Sequence, residues 1–406
     1  MAHLSFPYFP TLSAASLLFA PTVFATGIEQ AFQSTEAMGK GNVGVASVDD
    51  VTAVHYNPAG LAQLDRWQIQ SNSYLFYGNP EYDFVGGGTF DPDDEQLALT
   101  GSTFLGGPVG DNLAVGFGLT LPFGLSADYG DDHPLRHLSV EGQLIHLRAT
   151  AVLAWEIRPG IRLGGGAVFA YEDIDVVTGF PMAANPFGLG GPGDSSRLEG
   201  DGTAWGYTIG AQFDMAENHT LGITFRSGIN METTGRQTGR LFVPNPTGGA
   251  PLLAPAPGFD ARTVIPYPDQ LAVGYAITHG DWTFETNLTH SFRGETVVFE
   301  AVGQPAIEQT WDDTTFVNFG VTYQLTDYFQ LRTGYLYSDQ GVPDQFNTPT
   351  LADGPYHGFT IGSGYQKGNW QIDNAISLGI REDNETPLAT YKSVAVGGGM
   401  GITYTF

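Results

Sequence analysis

The chain runs to 406 residues, 42% hydrophobic and only 15% charged, with 55 glycines, no cysteine and a formal charge of −27. That acidity excludes nucleic acid as a partner, because phosphate backbones demand basic patches. The missing cysteine removes disulfides and thiol chemistry. No apolar run beyond the N-terminus reaches the roughly 20 residues of a membrane-spanning helix. Abundant Gly, aromatic, Thr, Ser and Asn residues at near-neutral hydropathy point instead to one oily and one wet face, the pattern of a transmembrane β-barrel. Acid-rich loops suit a surface that meets solvent and divalent cations bridging anionic lipid headgroups; the same charge serves equally to keep a protein soluble.

Residues 1–25 read as a secretory signal peptide. Leu12 to Phe24 form a short apolar run interrupted by Pro21, and Val23-Phe24-Ala25 places small residues where cleavage needs them. Residues 26–65 then form a compact, Gly-rich segment with Gly27, Gly39, Gly41, Gly44 and Gly60. Gln30 to Met38 predicts one short helix stopped at Gly39. In Asn57-Pro58-Ala59-Gly60 the Asn side chain can bond back to its own backbone, Pro presets φ, and Gly permits a positive φ. By itself this motif serves equally as a tight turn before a first strand.

From residue 66 to 406 the period is two. Leu113, Val115, Phe117, Leu119 and Leu121 alternate with Ala114, Gly116, Gly118 and Thr120. The same split recurs at Trp205-Tyr207-Ile209, Leu221-Ile223-Phe225, Leu271-Val273-Tyr275-Ile277 and in the last strand, from Val394 to Phe406. Short turns at residues 110–112, 158–160, 216–218, 279–281, 326–327 and 367–369 alternate with long Pro-, Gly- or Asp-rich loops. The long loops fall near residues 83–96, 126–142, 179–201, 236–266, 299–312, 339–355 and 382–392. Short periplasmic turns against long outer loops are the asymmetry of an outer-membrane barrel, here with roughly fourteen strands. Such a barrel is too wide for its own side chains to fill. The expected fold is therefore all-β, a 14-stranded antiparallel transmembrane barrel plugged by a small N-terminal hatch of residues 26–65.

Several ordered motifs together resemble the FadL-like (OmpP1/FadL/TodX) family of outer-membrane transporters for long-chain fatty acids and hydrocarbons. They are Ala37-Met38-Gly39-Lys40-Gly41, Asp49-Asp50 followed by Tyr56-Asn57-Pro58-Ala59-Gly60, and Phe225-Arg226-Ser227. Ile265-Pro266-Tyr267-Pro268-Asp269 and Leu331-Arg332-Thr333-Gly334-Tyr335, running to Ser338-Asp339-Gln340-Gly341-Val342-Pro343, add to them. The resemblance implies capture of hydrophobic compounds by outer loops, binding in the lumen and release sideways through a wall opening. It places Asn57, Pro58, Ala59 and Gly60 in the hatch and puts the opening at a kink in the third strand. That strand carries Pro122-Phe123-Gly124, where Pro cannot donate to the ladder and Gly permits a bend. Pro122 also fits the point where a strand leaves the membrane.

Two loops are more apolar than solvated loops should be and are candidate capture surfaces: Phe180, Phe187 and Leu189 in one, Phe242, Leu252 and Leu253 in the other. They fit equally as a lid packed on itself. Alternation turns His146, Arg148, Arg162, Arg226 and Arg332 to the lumen. Of these, His146, Arg148, Arg226 and Arg332 are the candidate substrate-binding residues, with pairing to acids such as Glu172 or Asp173 as the alternative. The resemblance implies basic residues near the end of the fifth strand, and the acidic run Tyr171-Glu172-Asp173-Ile174-Asp175 there departs from it, which tilts the expectation toward neutral hydrocarbons or mixed apolar substrates. Expected partners are fatty acids, alkanes or aromatics, outer-membrane lipid and lipopolysaccharide, and the barrel-assembly machinery through the strand ending at Phe406. No enzyme motif, metal site or cofactor site is expected. A general porin and a receptor or adhesin barrel are the rival functions in the outer membrane of a Gram-negative cell.

Overall fold

The computed structural model describes residues 29–86, 88–90, 96–133, 135–180, 189–294, 296–301, 307–347, 353–387 and 389–406. The expected signal peptide and Phe187 lie outside them. Fourteen antiparallel strands form the wall. In chain order the first are β1 (Gln68–Phe84), β2 (Gln96–Pro108), β3 (Leu113–Asp128), β4 (Glu141–Arg158), β5 (Ile161–Thr178) and β6 (Ser195–Ala216). Four strands then break once each: β7 (His219–Arg226 and Ile229–Val243), β8 (Phe259–Tyr267 and Asp269–His279), β9 (Trp282–Phe292 and Thr296–Ala301) and β10 (Ile307–Thr310 and Thr314–Thr326). β11 (Phe329–Ser338), β12 (Tyr356–Lys367), β13 (Trp370–Glu385) and β14 (Ala389–Thr405) complete the wall. β14 pairs with β1 from Gln68↔Thr405 to Phe84↔Ala389, so no sheet edge is left between the chain's two ends.

The predicted alternation is the alternation of the wall. Leu99, Phe117, Trp205, Ile209, Leu271 and Met400 point outward, and Gln70, Asn72, Ala114 and Thr224 point inward and are buried. Trp67, Trp155, Trp282, Tyr328, Trp370 and Phe406 are exposed at the end of the short turns, where an interfacial belt belongs. The short turns stand where the sequence put them, with positive φ at Gly160, Asn218, Gly280 and Gly368. The outer loops are shorter than expected. Residues 195–201, 236–243 and 259–266 are strand, so the wall rises well beyond the membrane on that side.

Inside the barrel, residues 29–64 fold as the hatch. Its helices are α1 (Thr35–Gly39) and α2 (Ala53–Tyr56), followed by a 3₁₀ turn at Pro58–Gln63. The helix predicted from Gln30 begins only at Thr35, because Ser34 caps it: its hydroxyl accepts from the Ala37 N–H at 3.4 Å. The helix ends at Gly39, as expected. The chain turns at Gly41 and Asn42, both at positive φ, and the Asn42 N–H returns to the Ala37 carbonyl at 2.7 Å.

Two interactions seat the hatch. Val48, Val51, Val54, Leu61 and Leu64 pack on Phe104, Ala114, Val152 and Ala154 of the wall. Around the ring, hatch backbone rests directly on wall glycines. An added Cβ would stand 2.1 Å from Gly41 N at Gly334, 2.4 Å from Pro58 C at Gly164, and 2.0 Å from Val45 O at Gly222. The second is electrostatic. Glu36 meets Arg332 at 3.1 Å and Lys40 at 2.9 Å, and Arg332 also holds Asp373 at 2.6 Å. Burial alone would raise the Glu36 carboxyl, but the Arg332 guanidinium and the Lys40 ammonium outweigh it and hold its pKa down to about 2.

A Gly334→Val barrel should fold, since the three added carbons face the lumen, yet carry an unseated hatch. Single-channel recordings should show several-fold higher conductance than the parent protein. The Glu36 pairing contributes to hatch docking above the ordinary carboxyl pKa of 4.5 and loses that contribution as pH falls from there toward about 2. Amide exchange in α1 should therefore accelerate across that window, and an Arg332→Met protein should lack the transition.

Candidate functional site

Asn57 shows why the hatch motif has its residues. The side chain is fully buried; its Oδ1 accepts from Ala59 N at 3.2 Å, and its Nδ2 donates to the carbonyls of Val45 at 2.7 Å and Ala211 at 3.0 Å. It thus caps the turn begun by Pro58 and ties that turn to β6. Gly60 fits closely against Val48 O, 2.4 Å from where a Cβ would be.

Pro122 lies in the middle of β3, not at its end. β3 follows β4 from Leu113↔Trp155 to Asp128↔Glu141, with a register shift between Thr120 and Phe123. Two residues, Leu121 and Pro122, stand where β4 offers one, which is a β-bulge. The bulge turns β3 away from β2, and the β2–β3 ladder covers only Thr103↔Leu119 to Pro108↔Ala114. Above it, Gln96–Ser102 and Thr120–Asp128 have no ladder partners across the gap.

An extended strap, Glu29–Gln33, lies along this gap. Gln30 N donates to Pro122 O at 2.7 Å, and Glu29 forms a β-bridge with Phe123. The Gln33 side chain donates to Leu121 O at 3.0 Å and accepts from Leu121 N at 3.2 Å, while Ser102 of β2 donates to Gln33 O at 2.7 Å. The strap therefore joins both edges.

The bulge changes which residues face inward. Below it the even positions of β3 are buried; above it Phe123 is. Breaks at Ser227-Gly228 and Pro268 do the same in β7 and β8, bringing Ile229, Met231, Ile265 and Tyr267 into the lumen. With Phe123, Leu144, Val168, Ile174, Val297, Trp311 and Val342 they make a continuous apolar surface in the outer half of the barrel. Alternation carried through these strands in one phase misses these residues. Gly228 and Pro268 carried the same signal as Pro122.

Polar side chains border this surface. Phe123 packs on Tyr267 and His146, with ring centroids 4.5 and 5.5 Å away, and Arg148 Cζ stands 4.9 Å from its ring centre. Arg148 Nε donates to His146 Nε2 at 3.1 Å, so the proton of that imidazole sits on Nδ1, which faces Glu172 at 3.1 Å. Tyr267 also donates to Glu172. Arg148 Nη2 is buried without a hydrogen-bond partner. Arg226 gives its guanidinium to the His55 carbonyl at 2.5 Å and to Gln270 at 3.3 Å. Arg148 and Arg226 line one cavity above the hatch, together with Glu29, Pro122, Phe123 and Gln270.

The remaining predicted cations are elsewhere. Arg332 sits on the short-turn side, committed to Glu36 and Asp373, and Arg162 pairs with Asp214 at 2.6 Å. Of the acidic run, only Glu172 points inward. Asp173 and Asp175 face outward, Asp175 onto Arg197, so they do not make the lumen acidic.

The outer loops clasp one another. Arg136 binds Asp131 and Asp194, Phe180 N donates to Asp194 at 3.0 Å, and Gly193 lies against Leu253. Leu252–Pro255 pairs with Arg240–Val243, which carries Phe242. Leu189 and Leu253 are partly buried there, while Leu252 is exposed.

Residues 16–405 match the family model described as outer membrane protein transport protein (OMPP1/FadL/TodX). A putative outer membrane protein of Neisseria meningitidis is 25% identical, with 92% of this chain and 90% of the relative covered. The long-chain fatty acid transport protein of Escherichia coli is 20% identical, with 91% and 90% covered. Among solved structures, a Pseudomonas aeruginosa FadL homologue superimposes with a TM-score of 0.81 at 18% identity, covering 94% of this chain and all of that one. The Pseudomonas putida toluene transporter TodX gives 0.75 at 18% identity, with 94% and 100% covered. The chain belongs to the OMPP1/FadL/TodX family of outer membrane transport proteins.

Proposed function

We propose that this barrel carries hydrophobic monocarboxylates, of which long-chain fatty acids are the type, passively across the outer membrane and releases them sideways between β2 and β3. The observation that carries the reading is the wall gap beside Phe123, placed between an apolar lumen surface and the membrane. Below, the hatch obstructs the axis. An apolar solute in the outer half gains by burial against Ile229, Met231, Ile265 and Trp311, at roughly 25 cal/mol per Å² of apolar area. Its easiest exit from there is into hydrocarbon.

The carboxylate preference rests on charge. A protein of net −27 presents, at this cavity, the guanidinium groups of Arg148 and Arg226 without a carboxylate in ion-pair contact among the described residues. A buried cation of this kind is stabilised by a ligand anion. The acidic run on β5, which favoured neutral hydrocarbons on sequence grounds, places its outward members where they do not oppose that anion. Outer-loop residues Phe180, Leu189, Phe242, Leu252 and Leu253 supply the first apolar contact, with lipopolysaccharide around them. Nothing in this path requires a chemical step.

In a deletion strain, the chain should restore oleate uptake. Arg148→Gln should lower oleate uptake about tenfold while leaving hexadecane uptake within twofold. Equal loss of both solutes would refute the carboxylate assignment. Gly124→Trp adds bulk in β3 at the gap and should slow both solutes; unchanged rates for both would refute lateral release there.

A further inference from the structure

The lipid-facing side of the wall is not uniform. On β3 to β8 its exposed positions above the short turns are apolar, as at Phe117, Leu153, Leu163, Ile209, Ile223 and Val273. On β13, β1 and β2 polar groups interrupt that surface. Asn374 on β13 is exposed between Ile372 and Ile376, and its cross-strand neighbours are Ser363 on β12 and Met400 on β14. Ser71 and Ser73 on β1 and Thr103 on β2 are exposed as well, and Ser73 pairs with the same Met400. Asn374 stands four residues along β13 from Trp370 of the belt, which for a tilted strand is about 10 Å into the hydrocarbon. Its amide has no hydrogen-bond partner among the described residues.

An amide in hydrocarbon is costly while its donor and acceptor are unmatched, so whatever meets Asn374 must lie in the membrane and carry both. An acyl chain carries neither. A second copy of this chain carries both, and at the same height, because all copies share one orientation in the membrane. An amide is also its own complement: across a two-fold axis each N–H faces the other's C=O. The surface beside it is shallow. Gly398 on β14 has nothing within 4 Å of where a Cβ would stand, so a neighbouring wall can approach closely there. Polar groups beside small residues are the combination that joins membrane-embedded elements. We infer that two copies pair through the outward face of β13, with Asn374 against the partner's Asn374 on the two-fold axis. The gap between β2 and β3 lies more than three strand spacings from β13, about 15 Å along the wall, so each copy keeps its gap in lipid. The pairing holds whatever solute the barrel carries.

The chain has no cysteine, so Ile376→Cys places a single thiol beside the axis and leaves Asn374 intact. Outer-membrane vesicles are treated with iodine, which couples neighbouring thiols within hydrocarbon, and non-reducing gels read the fraction at twice the chain mass. Coupling should be at least tenfold faster than for Ile209→Cys, an exposed position on β6, seven strands away. Adding Asn374→Leu, which keeps the side chain's bulk and removes its hydrogen bonds, should bring coupling down to the Ile209→Cys rate. Two differently tagged copies expressed together should appear in one product. Heat-modifiable gel migration identifies the folded barrel in each variant. Equal rates at the two cysteines would overturn the pairing. So would coupling that survives Asn374→Leu in the folded barrel, or a product that joins this chain to a different protein.

Discussion

The structure depends on filling a lumen that its own wall cannot fill. Fourteen strands enclose more space than inward side chains occupy, and the hatch takes up the inner half. It does so by bringing backbone against backbone. The wall gives up side chains at Gly164, Gly222 and Gly334 so that Pro58, Val45 and Gly41 can sit where Cβ atoms would stand. Packing this tight leaves no axial route for a bulky apolar solute, and the buried Glu36–Arg332–Asp373 pairs add charges that such a solute cannot replace. A straight path is closed by the same contacts that hold the plug. The alternative exit is through the wall.

A wall opening in hydrocarbon is costly, because each unsatisfied backbone group there costs several kcal/mol. The fold manages this with one bulge and one strap. Leu121 and Pro122 turn β3 away from β2, and the strap then satisfies the groups the bulge exposes. Gln33 is suited to this task because a side-chain amide carries a donor and an acceptor, and it serves both the N–H and the C=O of Leu121 as a neighbouring strand would. Phe123, turned inward by the bulge, packs under Arg148 and connects the opening to the cationic end of the lumen surface.

Much of this was legible in the sequence, for reasons that are local. Alternation at Leu113–Leu121 and Val394–Phe406 gave the wall, the Gly- and Asn-containing turns gave its polarity, and Asn57-Pro58 marked a buried turn. Pro122 was legible as a break. What was hidden is what a break does at a distance. Two-residue periodicity assigns faces correctly only until a bulge shifts its phase, and Ile229, Met231, Ile265 and Tyr267 all lie beyond such shifts. The same logic misplaced Asp173, since its face depends on the register of β5 and not on its acidic neighbours. α1 was extended too far because Gln30–Gln33 have fair helix propensity, and β2 and β3, far along the chain, supply hydrogen bonds that hold them extended. Glu29 drew no attention at all: its partners are 241 and 264 residues away.

The position of the charges sets the lumen cavity apart from the rest of this acidic protein. Its carboxylates are spent on the hatch underside, the outer wall and the loop clasps around Arg136 and Arg381, where water or a paired guanidinium compensates them. At the lumen cavity the balance reverses: Arg148 and Arg226 line it together with Glu29, which is itself paired with Arg293. Two buried guanidinium groups with no ion-pair partner among the described residues give the cavity a positive potential that low dielectric strengthens. The proposed preference for a carboxylate rests on that potential.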